Sequence, residues 1–143
     1  MLTLLRLLIL VPIGFVLAVV AAGFTVALGI FGLSPSHETA GWILLFAAWT
    51  AAYAGAFALL PWLIAVVLAE GLGLRSVWFW FAIGGAIGAV AWFFTGYYGE
   101  EAQAEAGFAV HLAAGFVAGF VYWLVAGRNA GIGLGRPDDA RPA

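Results

Sequence analysis

The chain has 143 residues, of which 66% are hydrophobic and 8% charged, with a formal net charge of −2. An ordinary soluble domain carries about 25% charged residues, so the composition excludes a soluble globule, a disordered chain and a nucleic-acid-binding protein. The mean hydropathy of +1.12 agrees, and the lack of cysteine excludes disulfides, thiolate metal sites and c-type haem attachment.

The charged residues leave four uncharged runs, 7–37, 39–69, 76–99 and 106–127, with lengths of 31, 31, 24 and 22 residues. A helix needs about 20 apolar residues to cross the hydrocarbon core. Each run therefore suffices for one crossing and none for two. The runs are apolar on every face, as in Ile43 to Phe46, whereas a membrane strand would alternate apolar and polar residues. A helix also pairs its own backbone groups, as lipid requires. The fold expected is an all-α integral membrane protein: four transmembrane helices in an up-down bundle, with both termini inside.

The first predicted span covers about 4–31. It resembles a signal peptide at its start, but a signal core is about 7–15 residues, and this one continues to about Leu33. It is read as an uncleaved span that Pro12 kinks by removing a backbone donor. Ser34-Pro35 is a helix-start signal. The second span, about 41–69, follows an exterior turn through His37 and Glu38, and Pro61 is expected to bend it. Glu70 to Arg75 form a glycine-containing inner turn, with Glu70 compensated by Arg75 or Arg6. Ser76 is a candidate cap for the third span, about 77–98. The run Glu100 to Ala106 is strongly helix-forming, so the fourth helix should begin above its membrane segment of about 106–127. Residues 1–127 are read as one transmembrane domain and 128–143 as a flexible cytoplasmic tail.

Orientation follows from the five arginines. Arg6, Arg75, Arg128, Arg136 and Arg141 fall on one side of a four-span chain, while the loops on the other side hold Glu38, Glu100, Glu101 and Glu105 and no arginine. By the positive-inside rule, both termini are expected in the cytoplasm, in a bacterial inner membrane. Trp78, Trp80, Tyr122 and Trp123 near the inner side, and Trp42, Tyr97 and Tyr98 near the outer, are read as interfacial aromatics.

Small residues recur every fourth position. Gly84 and Gly88 do so in span three, and Gly107, His111, Gly115 and Gly119 in span four. Residues four apart share a helix face, and in lipid small faces allow close backbone approach. Gly84, Gly88, Gly107, Gly115 and Gly119 are therefore expected to pack helices together, most closely between spans three and four. The run Gly84 to Ala89 resembles a glycine-rich stretch of small four-span fluoride channels over six residues. The arginine that follows it in that family is replaced here by Val90-Ala91-Trp92. Small multidrug exporters, also four-span chains, need a carboxylate inside span one, and this span has none. No family is assigned.

Candidate chemistry is sparse. His111 is the one ionisable group well inside a span, and such groups are functional candidates. It is expected on the small-residue face, hydrogen-bonded to Thr25, Thr95 or Tyr97. His37, Glu38, Glu100, Glu101 and Glu105 form an outer acidic cluster without diagnostic ligand spacing, and no metal site is expected. No cofactor is expected either; a haem held by His111 would need His37 as a second ligand. No Ser/His/Asp set, nucleotide loop or zinc motif is present, so an enzyme is not expected. The function expected is a structural or accessory role in the bilayer, packing as a homo-oligomer or against a larger membrane complex. The alternatives are a small oligomeric transporter or channel, and a haem- or quinone-associated redox subunit.

Overall fold

A computed structural model describes residues 6–32, 37–94 and 101–131. Their architecture is all-helical. A π-helical turn, Arg6–Leu10, leads into α1, Val11–Phe31; α2 is His37–Leu72, α3 is Val77–Phe94 and α4 is Glu101–Val125, followed by a 3-10 turn, Gly127–Asn129. Four segments are long and apolar enough to cross a membrane: Leu7–Phe31, Ala40–Leu72, Val77–Phe94 and Gly107–Val125.

Local chemistry explains the element ends. Pro12 was expected to kink a continuous helix. It stands in the first turn of α1, directly after a π-helical turn that runs into it without a break, so its missing N–H falls within a continuous helical run, where the wider turn takes it up. Pro61 lies inside α2, which continues through it as one 36-residue helix. At 1.5 Å per residue α2 is roughly 54 Å long, well beyond a hydrocarbon core of about 30 Å. It ends in a Schellman-type turn: Gly73 takes φ +65° and the Leu74 N–H donates to the Ala69 carbonyl, 2.9 Å away, closing the 6→1 bond of that motif. Ser76 then caps α3, its Oγ accepting the Trp78 N–H at 3.3 Å.

The interior is built of small residues and the exterior of large ones. Buried apolar positions are mostly alanines, among them Ala27, Ala47, Ala65, Ala69, Ala114 and Ala126, while Trp42, Trp78 and Phe93 are 68%, 76% and 74% exposed. Water would reverse that distribution. In lipid, outward Leu, Phe and Trp cost nothing, and helices gain instead by bringing backbones close.

The helices pack in the spatial order α2, α1, α4, α3. Between α1 and α2, a Cβ on Gly23 would overlap the Ala47 carbonyl. Between α1 and α4, Gly14 faces Tyr122 and Ala126 at 3.3 Å, measured from where its Cβ would stand. The contact between α3 and α4 is the most extensive, and that between α2 and α3 is slight. The bundle is thus open on one side, between α2 and α3.

Residues after Arg128 were expected to be a flexible tail. The segment to Gly131 is packed instead. Ala130 is buried and accepts a hydrogen bond from Arg75 Nε at 2.7 Å, while the Gly131 N–H donates to Glu70 Oε2 at 2.9 Å. The Trp123 indole donates to the Arg75 carbonyl at 2.8 Å. The reason is polar: a carboxylate that is only 8% exposed needs donors, and the chain just past α4 supplies one.

Candidate functional site, an apolar cleft between α2 and α3

The open side of the molecule is a cavity of about 130 Å³. Its back wall comes from α1 (Ala18, Ala22, Val26) and α4 (Ala114, Ala118, Gly119). Its sides come from α2 (Thr50, Ala54, Phe57, Ala58) and α3 (Ile83, Ile87, Ala91, Phe94). Phe57 and Phe94 meet across it, ring centres 5.4 Å apart.

One end is an aromatic floor. Tyr122, 3% exposed, sits between two indoles, 4.3 Å from Trp80 and 5.7 Å from Trp62; Phe15 lies 4.3 Å from Trp62. Read as interfacial aromatics in the sequence, Trp80 and Tyr122 face inward, whereas Trp78 faces out. Among the described residues, the indole nitrogens of Trp62 and Trp80 are buried without a hydrogen-bond acceptor. Such a donor forfeits about 1–3 kcal/mol of solvation.

His111 stands toward the other end. Its Nδ1 lies 2.9 Å from the Gly107 carbonyl. A carbonyl only accepts, so Nδ1 carries the proton and, in the neutral ring, Nε2 keeps the lone pair. The ring packs 5.2 Å from Trp92. Thr25, expected as a partner of His111, donates to the Ala21 carbonyl of its own helix at 2.9 Å, and Thr50 donates to Phe46 at 2.7 Å. A hydroxyl in an apolar helix reaches the carbonyl one turn back more readily than a partner across a groove.

The packing glycines meet as follows. A Cβ on Gly84 would overlap the Gly115 carbonyl, one on Gly115 the Gly84 carbonyl, one on Gly88 the His111 carbonyl and one on Gly119 the Trp80 carbonyl. Gly107 instead faces the Trp92 ring. Thr95, Tyr97 and Glu100 lie outside the described residues, as do the side chains of His37, Glu38, Glu101 and Glu105. Among the described residues no group of three His, Asp or Glu converges on a point.

The sequence singled out His111, Gly84, Gly88, Gly115 and Gly119, which border the cleft, but nothing in it marked a cleft between α2 and α3. Its walls are ordinary Ala, Ile and Phe, whose only sequence signal is membership of an apolar span. No protein-family model matches the chain, and no curated protein or solved structure matches it.

Proposed function

We propose that the chain is an accessory protein of a bacterial inner membrane, with four spans running up and down, both termini cytoplasmic, and a role in packing within a homo-oligomer or a larger membrane assembly. The observation that carries this reading is the dryness of the interior. The cavity wall is almost wholly apolar, and the hydroxyls of Thr25 and Thr50 and the His111 Nδ1 are held by their own helices. Conduction of an ion or polar solute needs a line of groups that replace its hydration shell, and these groups are turned back onto the backbone. The orientation rests on the arginine partition. It is supported by the bond from Arg75 to Ala130, which joins the loop after α2 to the chain after α4 at one end.

The test has two parts. Proteoliposomes holding the pure full chain are expected to pass protons and potassium no faster than protein-free vesicles. Native electrophoresis of gently solubilised membranes is expected to place the chain in an assembly well above its 15.0 kDa mass. Flux above the background, or migration as a lone monomer, overturns the accessory role.

A further inference from the structure

We propose that the end of the bundle carrying Arg75 and Arg128 binds one anionic phospholipid, whose phosphate lies between the two arginines and whose tails run along the outer aromatic face of α3 and α4. The inference uses the membrane placement of the four helices and is independent of the accessory role.

The chain after α4 brings the two arginines together. Arg75 Nε donates to the Ala130 carbonyl at 2.7 Å, and Arg128 stands two residues before Ala130, in the 3-10 turn Gly127–Asn129. Consecutive Cα atoms are about 3.8 Å apart, so the Arg128 backbone lies within about 8 Å of Ala130. That turn is held in place, because Gly127 is buried against the Trp80 indole. Both arginines are exposed, whereas Glu70 is buried and accepts the Gly131 N–H. Among the described residues, the exposed charge of this end is therefore positive.

The fork of Arg75 suits a phosphodiester. A guanidinium carries five N–H donors in one plane. The bond to Ala130 uses Nε and fixes that plane, which leaves the terminal amino groups to a ligand. A fork oriented beforehand loses little freedom when it takes up a phosphate. The depth is right as well. Arg75 lies between the spans Ala40–Leu72 and Val77–Phe94, and Arg128 follows the span Gly107–Val125. Basic groups gathered at the ends of spans recognise anionic headgroups.

The surface beside the arginines selects a lipid over a soluble anion. The Trp123 indole donates to the Arg75 carbonyl at 2.8 Å, and its ring stacks on Phe120, centres 6.0 Å apart. Phe120 in turn stacks on Phe81 at 5.8 Å and 8°, and Trp78 meets Phe81 at 6.0 Å. Trp78 is 76% and Phe120 40% exposed. These rings lead from the polar boundary into the hydrocarbon and offer acyl chains a broad apolar wall. A free phosphate gains nothing from it.

The experiment is native mass spectrometry of the full chain, delipidated in mild detergent and offered dioleoyl phosphatidylglycerol, dioleoyl phosphatidylcholine or glycerol 1-phosphate at equal concentration. The glycerol lipid is expected at one per chain and at least several-fold above the choline lipid, whose cation opposes the arginines; glycerol phosphate is not expected to stay bound. Equal retention of the two lipids, or retention of glycerol phosphate, overturns the site. Arg128→Gln should lower the preference several-fold with the unfolding temperature unchanged. Arg141→Gln, which removes the same charge from the chain after α4, should leave the preference as it is; equal losses would show a diffuse attraction and overturn the site. Arg75→Lys keeps the charge without the fork and should lose most of the preference, so full retention overturns the role of the guanidinium. Should Arg75→Lys fail to fold, the wild type and Arg128→Gln decide the matter. None of these results bears on the assembly or flux measurements.

Discussion

The α3–α4 seam depends on single hydrogen atoms. Gly84, Gly115 and Gly119 each lie so close to a neighbouring carbonyl that a methyl group would overlap backbone, and backbone cannot rotate away as a side chain can. Gly115→Leu or Gly119→Leu is therefore expected to cost at least the 1–3 kcal/mol typical of overpacking. Ala118→Leu, whose side chain borders the cleft, should cost less because it has space to enter. Thermal unfolding in detergent checks this, and equal losses in all three variants would refute a tight seam. His111 makes a second case. Its bond to Gly107 is made by Nδ1, which an asparagine amide can imitate. His111→Asn should keep stability within about 0.5 kcal/mol, while His111→Leu loses a hydrogen bond worth about 1 kcal/mol. The wild type is expected to show no Soret band; one that His111→Asn abolishes would make the redox reading primary.

At the scale of elements, the chain end after α4 behaves as part of the fold. Glu70 holds the Gly131 N–H and Arg75 holds the Ala130 carbonyl, so residues 130–131 tie α2, α3 and α4 together at one end. Removal of residues 132–143 is expected to leave unfolding temperature unchanged. Removal of residues 130–143 should lower it, since a buried carboxylate loses a donor at a cost of about 1–3 kcal/mol. A pair of truncations in one detergent measures the difference, and identical curves would show the tie to be idle. The sequence marked Glu70 as needing compensation and looked to arginine for it. The backbone donor could not be read there, because it lies 61 residues away along the chain and any residue but proline carries an N–H.

For the whole molecule, the small-inside, large-outside distribution identifies lipid as the solvent against which the chain is folded. The arginine partition adds a direction. A reporter active only in the cytoplasm, fused after Ala143, should be active, and one inserted near Gln103 should report the exterior; the opposite pattern would reverse the orientation. Four apolar helices were legible because a bilayer sets a minimum span length that charges interrupt visibly. The cap at Ser76 was legible too, since a serine before an apolar helix has one local use.

What the sequence determined by itself was therefore the local and the one-dimensional: the number of spans, their approximate ends and the faces on which glycines recur. Spacing along one helix places Gly84 with Gly88 and Gly115 with Gly119 without any knowledge of a neighbour. Which faces meet was decided only in three dimensions. The inward turn of Trp80 and Tyr122, the use of Gly23 against α2 and the cleft left between α2 and α3 all depend on how four nearly uniform apolar cylinders choose partners. In lipid that choice rests on shape complementarity summed over many weak contacts, and no single residue announces it.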